Sequence, residues 1–438
     1  MVASLLLALA VPALAADDCR TRLASKRTEA GRAGVYFFGI SFVVPAKYTV
    51  ADAKKAETLL KLFAEVSAAF EARGTTLVLV PVPPKPVVMR QYLSPLSEVQ
   101  RNYDHAEVAR LYLRFIRSMN DGGVAAVDVL TPLRKFDWRT TWELPNMANE
   151  QHWSATGARL SAQAVAARLA KTEKYRSLPK VALRLREENP ATTSFAQTAR
   201  GAGKTVLDVC GVEIRAESIP QFSIEDPQTT LFSDPVQGAV LLGTSYSDDL
   251  FSFEKFLAEA LQLRVTKVAG DGRGLFGALE HALAGGYLTT GAYPYVIWEF
   301  PFLELASNSQ DVIASTLKQV VANLNANCTG AARKTGIPID AASGEVVVDI
   351  RALRPETAGS DEYLIVEVQE PVGEFRISAA DDPAPLAVVR RSPRSTTSGR
   401  YYFKVSEGHL PRASIRITFA DSTLVQGKTI SVALCGGN

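Results

Sequence analysis

Helical and extended hydrophobic patterns alternate over the first three quarters of the chain. Residues 51–74 repeat apolar side chains at helical spacing, and residues 75–86 form a continuous apolar strand that runs into prolines. The same alternation predicts helices over 106–123, 157–173, 248–263 and 310–327, and strands over 124–130, 238–245 and 295–300. Residues 171–235 are less regular and predict an excursion with some β structure. Apolar strands between helices indicate an α/β domain with a mainly parallel sheet covered on both faces.

The pattern changes beyond Gly336, where apolar and polar side chains alternate with a period of two. Seven short segments of this kind are separated by glycine, proline, aspartate and serine turns. About 100 such residues predict an antiparallel β-sandwich. We therefore expect an α/β domain over 16–327 and a β-sandwich over 328–438.

The first 15 residues have the pattern of a signal peptide. An apolar run through Val11 is followed by Ala13 and Ala15, the small-x-small pattern of a cleavage site. The run is shorter than the roughly 20 apolar residues that span a bilayer, so a membrane anchor is the weaker interpretation. The pattern predicts export of the chain.

Export changes the interpretation of the four cysteines, because an oxidising compartment favours disulfides. Three pairings are possible, and the spacing favours Cys19 with Cys210 and Cys328 with Cys435. No CxxC spacing is present and the chain has four histidines, so we expect neither a metal site nor a cofactor. A formal net charge of +2 argues against nucleic acid as a partner.

The segment GAVLLGTSYSDDLFSFEKFLAEAL contains a candidate nucleophile. It places a buried strand, a Gly-Thr-Ser turn and an amphipathic helix in succession, which predicts Ser245 at the start of that helix. Free backbone N–H groups and the helix dipole could there stabilise an oxyanion, and Asp248 and Asp249 suit the first helical turn. The alternative is that Ser245 or Ser247 only caps the helix.

A serine nucleophile needs a base, and NEQHW contains the best candidate. Glu150 lies two residues before His152, a spacing that lets the carboxylate hold one ring nitrogen while the other faces the serine. The alternative for His152 is a helix cap or an exposed side chain. The other histidines have weaker settings, at a helix start, on a helix and in a turn of the sandwich: His105, His281 and His409.

Two motifs together resemble a known family. GTSYS at 243–247 and HWSATGARLSAQA at 152–164 are similar to the AlgX/AlgJ family of periplasmic polysaccharide O-acetyltransferases, relatives of the SGNH hydrolases. GVYFFG, VLVPVPPKPVV, VAGDGRG and YVIWEFP also look like landmarks of that family. The resemblance covers nearly the whole mature chain and is closest to the AlgX branch. It implies a three-layer SGNH hydrolase-like domain followed by a carbohydrate-binding β-sandwich.

By motif, the resemblance makes Ser245 the nucleophile and His152 the base. Glu150 stands where the family has aspartate, so its longer side chain must approach His152 from a displaced position. The loop GDGRG at 270–274 is a candidate wall of the site, and the second oxyanion donor is not assigned.

Cationic and aromatic side chains in RRSPRSTTSGRYYFK could hold an acidic polysaccharide, because guanidinium groups pair with carboxylates. A solvated hairpin is the equal alternative. Trp298 and Glu299 end an apolar strand and could face the cleft, although such a tryptophan is more often in the core. The predicted sugar-binding residues are Arg390, Arg391, Arg394, Arg400, Tyr401, Lys404 and Trp298.

The resemblance implies a periplasmic enzyme that transfers acetyl groups to alginate or a similar uronate polymer, and we expect the chain to be a monomer. The acetyl donor would be supplied through a membrane-bound O-acyltransferase, with exopolysaccharide secretion proteins as further partners. A carbohydrate acetylesterase would use the same triad with water as acceptor. A non-catalytic polysaccharide-binding protein is the third hypothesis, motivated by Glu150 and the β domain.

Overall fold

The computed structural model describes most of the chain between Cys19 and Gly437. The described residues are 19, 22–24, 26, 28–33, 35–38, 53–137, 143–193, 202–211, 213–214, 217–227, 238–269, 274–288, 293–328, 331, 333–353, 362–368, 372–382, 385–390, 399–405 and 414–437. The predicted signal peptide lies outside them. The described part forms an α/β lobe and a β-sandwich lobe, as the hydrophobic pattern predicts.

Five parallel strands form the central sheet of the α/β lobe. Their order is β4-β3-β9-β7-β8. Because helices cover both faces, β3, β7 and β9 are buried almost throughout, which explains their continuous apolar sequences. The strands are β3 Thr76–Val82, β4 Ala125–Ala126, β7 Ala239–Gly243, β8 Val265–Ala269 and β9 Tyr295–Pro301.

Helices form the two outer layers. Helix α1 packs against α4 and α12 on one face, and α6 packs against α9 on the other, as right-handed crossovers require. The helices are α1 Ala53–Glu71, α2 Lys85–Val88, α3 Glu98–Asn102, α4 His105–Asp121, α5 Leu130–Lys135, α6 Ala155–Leu169, α7 Glu173–Ser177, α8 Ala202–Cys210, α9 Phe253–Leu261, α10 Gly274–Ala284, α11 Glu304–Ser307 and α12 Gln310–Asn325.

Two predicted elements differ from the structure. The strand predicted over 124–130 is limited to β4, because the Asp128 carboxylate accepts the backbone N–H of Thr131 (3.0 Å) and starts helix α5. The helix predicted over 248–263 begins later, at Phe253. Two short 3₁₀ turns, Ser245–Ser247 and Asp249–Phe251, precede it.

The irregular region contains a pair of antiparallel strands and one cysteine of a disulfide. Strands β5 Arg184–Thr193 and β6 Glu217–Glu225 pair with each other. Near the amino end of the chain, β1 Thr28–Ala30 pairs with β2 Tyr36–Phe38. Cys19 and Cys210 form a disulfide with Cα atoms 5.4 Å apart, which joins this end to α8.

The second lobe is a sandwich of two antiparallel sheets. One has the order β10-β18-β13-β16, with β11 also paired to β18, and the other has the order β12-β17-β14-β15. The seven predicted segments correspond to β12–β18, whereas β10 and β11 were not predicted. The strands are β10 Ala326–Asn327, β11 Arg333–Pro338, β12 Glu345–Asp349, β13 Glu362–Val368, β14 Glu374–Ala379, β15 Pro385–Arg390, β16 Arg400–Val405, β17 Ser414–Phe419 and β18 Thr429–Gly437.

A second disulfide, Cys328–Cys435, closes this lobe with Cα atoms 4.8 Å apart. Both disulfides are the pairs that the cysteine spacing favours. The lobes meet where α12 packs on β15 and β16.

Candidate active site

The site lies at the carboxyl edge of the parallel sheet, where ligands of open α/β folds bind. Strand β7 ends at Gly243, and Ser245 is the first residue of the 3₁₀ turn that follows. Helix α9 begins eight residues after Ser245, so the sequence-based expectation of a helix dipole at the serine is wrong. Asp248 caps the second 3₁₀ turn by accepting the Leu250 N–H (3.0 Å).

His152 joins Glu150 to Ser245. Its Nε2 lies 2.7 Å from Ser245 Oγ, and its Nδ1 is in hydrogen-bond contact with Glu150 Oε2. The same carboxylate oxygen accepts the backbone N–H of His152 (2.7 Å). Glu150 is 1% exposed and His152 is 6% exposed. The three side chains thus have the connectivity of a nucleophile, a base and an acid that orients the base.

Aromatic side chains fix the ring of His152. Phe251 stacks on the imidazole with centroids 4.8 Å apart, and Tyr246 meets it edge-on at 4.5 Å. Trp153 donates its Nε1–H to the Tyr246 carbonyl (2.8 Å). The tryptophan of NEQHW therefore ties the histidine loop to the serine turn, across 93 residues of sequence.

A buried lysine holds the backbone that carries Glu150. Lys85 Nζ donates to the carbonyls of Tyr36 (2.6 Å), Ala148 (2.9 Å) and Glu150 (2.9 Å). Burial lowers the pKa of Lys85 to about 7, while the nearby carboxylates of Glu217 and Glu150 act in the opposite direction. Three acceptors around one amine satisfy the three donors of an ammonium group.

Glu217 holds the same loop by binding its backbone N–H groups. Its carboxylate accepts the backbone N–H groups of Ala148 (2.6 Å) and Asn149 (2.8 Å). Burial raises the pKa of Glu217, and those two hydrogen bonds oppose the shift. Lys85 and Glu217 together fix the three residues up to Glu150.

A second buried carboxylate holds the serine turn. Glu299, which is fully buried, accepts the Thr244 N–H, the Thr244 hydroxyl and the Ser247 hydroxyl, each at 2.8 Å. Burial raises the pKa of Glu299 to about 7, against those hydrogen bonds and the charge of His152. Ser247 is thus a structural partner of Glu299, and Thr244 caps the turn through Tyr246 N–H (3.4 Å).

Two glycines allow close backbone approach in these motifs. A Cβ on Gly157 would lie 1.9 Å from the Pro145 carbonyl oxygen, and one on Gly243 would lie 2.3 Å from Ser247 Oγ. Any other residue at either position would displace the histidine loop or the serine turn.

Trp298 and Tyr401 are unavailable to a sugar. Trp298 is 1% exposed and donates Nε1–H to the Leu275 carbonyl (3.1 Å) in the core of the α/β lobe. Tyr401 is fully buried in the sandwich, where its hydroxyl donates to the Val372 carbonyl (2.8 Å). The structure contradicts the predicted sugar contacts of both residues, because both side chains belong to cores.

The predicted cations of the sandwich lie at and near the contact between lobes. Arg390 pairs with Asp311 of α12 (3.1 Å) and with Glu374 (3.2 Å). Arg400 pairs with Glu367, and Lys404 is exposed. A role of these three in sugar binding stays a prediction. Arg391, Arg394 and His409 lie outside the described residues, as does most of GDGRG.

Sequence reasoning missed Lys85 and Glu217 and misplaced Glu299. The sequence contained one indication of the role of Lys85, since VLVPVPPKP puts this lysine inside an apolar, proline-rich stretch directly after a buried strand.

The two other histidines in the described residues lie on helices, His105 on α4 and His281 on α10.

The described residues lack two kinds of feature. They contain no cluster of histidine, cysteine, aspartate and glutamate that could hold a metal ion. They also contain no helix with the length and apolar character needed to cross a bilayer.

Comparison with known proteins identifies the family. The family model "SGNH hydrolase-like domain, acetyltransferase AlgX" matches residues 37–302. The alginate biosynthesis protein AlgX of Pseudomonas fluorescens is 27% identical over 276 residues, 60% of this chain and 53% of that protein. The probable alginate O-acetylase AlgJ of Pseudomonas putida is 26% identical over 255 residues, 55% of this chain and 62% of that protein. The chain thus spans about half the length of the first relative.

The solved structure of Pseudomonas aeruginosa AlgX shares the fold of both lobes. It covers 94% of each chain with a TM-score of 0.68 at 18% identity. The predicted fold class is confirmed by this match and by the family model. The resemblance seen in the motifs is also confirmed: the chain belongs to the AlgX family of SGNH hydrolase-like acetyltransferase domains.

Proposed function

We propose that this chain is a periplasmic polysaccharide O-acetyltransferase with Ser245 as nucleophile, His152 as base and Glu150 as the acid that orients it. One observation carries the proposal. His152 contacts the Glu150 carboxylate through Nδ1, and its Nε2 lies 2.7 Å from Ser245 Oγ. The membership in an acetyltransferase family supports acetyl as the transferred group. The names of both relatives support alginate, or a similar uronate polymer, as the acceptor.

The chemistry has two balanced half-reactions. First, His152 Nε2 takes the proton of Ser245 Oγ while that oxygen attacks the acetyl carbonyl, and the donor oxygen leaves with the proton from His152. Then a sugar hydroxyl attacks the acetyl-serine and gives its proton to His152, which returns it to Ser245 Oγ. The buried carboxylate of Glu150 stabilises the imidazolium formed in each half.

The oxyanion of each tetrahedral intermediate needs donors close to Ser245. The described residues offer no acceptor to the backbone N–H of Ser245, which begins the 3₁₀ turn. We assign this N–H as one oxyanion donor. Its position is fixed by Glu299, which binds the preceding residue, Thr244, through both N–H and hydroxyl.

Location and partners form part of the same proposal. The two disulfides and the leader expected over 1–15 support export to an oxidising compartment. A periplasmic acetyl donor would come through a membrane-bound O-acyltransferase, and the chain would act as a monomer beside the secretion proteins.

The test is acetyl transfer by the purified mature chain. A chromogenic acetyl ester serves as donor, with and without oligomannuronate, and both chromophore release and oligosaccharide mass are followed. Ser245→Ala is the control, and acyl-enzyme is sought on the Ser245 peptide by mass spectrometry. We expect acetylated oligosaccharide from the wild type alone.

Other outcomes would support a different function. Ester cleavage that depends on Ser245, without a gain in sugar mass for any uronate oligomer, would replace the transferase by an acetylesterase. Oligosaccharide binding without acyl-enzyme in either protein would favour the non-catalytic binding protein.

A further inference from the structure

A cationic cavity lies at the same edge of the sheet as the candidate triad. Its volume is about 320 Å³, and it opens between the turn after α2, helix α5 and the start of the histidine loop. The residues that line it are Val88, Arg90, Gln91, Leu133, Arg134, Lys135, Phe136, Asp137 and Pro145.

The charge of the lining is positive. Three cations, Arg90, Arg134 and Lys135, share the cavity with one carboxylate, Asp137. Arg134 is half-buried and directed by the Val87 carbonyl, which accepts its Nε–H (2.9 Å). Burial and the neighbouring Arg90 both lower the pKa of Arg134. Two guanidinium groups and one ammonium group that line the same cavity form a site that an anion would stabilise.

The cavity shares a wall with the loop that carries His152. Pro145 lines it, and the Pro145 carbonyl accepts the N–H of Ser154 (3.1 Å), two residues beyond His152. Val88, which also lines the cavity, ends the same short helix whose Lys85 binds the Glu150 carbonyl. The cavity and two of the three triad residues, Glu150 and His152, are therefore positioned by the same two segments.

The spacing of the strands gives the distance between the cavity and Ser245 along the edge of the sheet. Ser245 follows β7, whereas the cavity lies beyond β3 and β4. In the sheet, β3 is two positions away from β7, and β4 is three positions away. Neighbouring strands are about 4.8 Å apart, so the two sites lie roughly 10 to 14 Å apart along the edge. A polysaccharide whose acceptor sugar meets Ser245 spans this distance with a few further sugar units.

We propose that the Arg90/Arg134/Lys135 cavity binds a carboxylate of the acidic polysaccharide, a few units away from the sugar that reaches Ser245. This inference rests on the proposed function for the identity of the polymer. Guanidinium and ammonium groups recognise a uronate carboxylate and leave a neutral sugar of the same length without a partner. The cavity thus makes the chain select acidic polymers over neutral ones.

The test measures binding in the Ser245→Ala protein, so its result does not depend on whether the chain transfers acetyl groups. Labelled oligomannuronate and the carboxyl-reduced oligosaccharide of equal length are titrated, and the ratio of their Kd values gives the carboxylate preference. Arg90→Gln with Lys135→Gln removes two exposed cations from the cavity. Arg117→Gln with Lys171→Gln removes two exposed cations elsewhere and serves as the matched control.

We expect the cavity variant to lower the carboxylate preference about tenfold, the loss of about 1.4 kcal/mol of charged contact. The control pair should keep the preference of the Ser245→Ala parent. A length series gives a second measurement: affinity should rise stepwise once the acidic oligomer spans both sites, and the cavity variant should lack that step. An unchanged preference together with a retained step would overturn the proposal.

Discussion

Replacing Glu299 by glutamine tests how the buried carboxylate holds the serine turn. Glutamine has the same size, and its carbonyl oxygen can accept the Thr244 N–H and the Ser247 hydroxyl in place of Oε2. Its amide group can donate to the Thr244 hydroxyl. The substitution therefore keeps the contacts and removes the buried charge.

The magnitude follows from the pKa. Burial raises the pKa of Glu299 from 4.5 to about 7, so the folded chain binds this proton more tightly than the unfolded chain does. For an acid shifted upward, the free energy of unfolding falls as pH rises from the unfolded pKa to the folded pKa. The shift corresponds to about 3 kcal/mol, lost by the wild type between about pH 4.5 and 7. Glu299→Gln should not show this loss.

The assay is urea unfolding of both proteins at several pH values from about 5 to about 8. All four tryptophans lie between residues 138 and 298, so tryptophan fluorescence, excited apart from tyrosine, reports on the part of the chain that precedes the sandwich. Other titrating groups are common to both proteins and cancel in the difference. Glu65→Gln, at an exposed position of α1, is the control for the substitution itself. If wild type and Glu299→Gln depend on pH in parallel, the argument from burial is refuted.

Three further substitutions test the loop around the triad. Lys85→Met leaves the carbonyls of Tyr36, Ala148 and Glu150 without their buried donor and should lower the free energy of unfolding by about 3 to 5 kcal/mol, whereas a loss below about 1 kcal/mol would contradict the role of the lysine. Glu150→Gln should slow acyl-enzyme formation about a thousandfold by weakening the orientation of His152, with unfolding unchanged in circular dichroism; near-normal rates would remove Glu150 from the mechanism. Gly157→Ala should destabilise the lobe by about 2 kcal/mol or more in thermal unfolding, whereas Gly373→Ala, which meets nothing within 4 Å, should not.

Local patterns predicted the architecture where one signal dominated. The apolar runs of β3, β7 and β9 and the period-2 segments of the sandwich reflect burial on two faces and on one face, respectively. The start of α9 was mispredicted because DDLFSF has the composition of a first helical turn. In the structure Ser252 adopts a left-handed backbone (φ 55°), which separates the 3₁₀ turns from the helix.

In the candidate site, too, the sequence could predict some residues and not others. Ser245, His152 and Glu150 stand in short motifs whose spacing constrains their geometry, so sequence could nominate them. The side chains that hold these motifs come from elsewhere in the chain. Lys85 is 65 residues away in sequence from Glu150, whose carbonyl it binds. Glu217 is 68 and 69 residues away from the two backbone N–H groups that it binds. Glu299 is 52 and 55 residues away from its partners in the serine turn. A local pattern can mark Lys85 as unusual in its apolar stretch, but it does not show which distant residues these side chains contact.

Those distant contacts also explain how a glutamate can serve at position 150, where the motif resemblance implies an aspartate. Lys85 fixes the Glu150 carbonyl, and Glu217 fixes the two backbone N–H groups before it. With the backbone held on both sides, the Glu150 carboxylate folds back to accept the N–H of His152 as well as contact its ring. The glutamate carboxylate thus contacts the imidazole while His152 Nε2 lies 2.7 Å from Ser245 Oγ. The substitution at 150 therefore gives no geometric reason to expect an inactive triad.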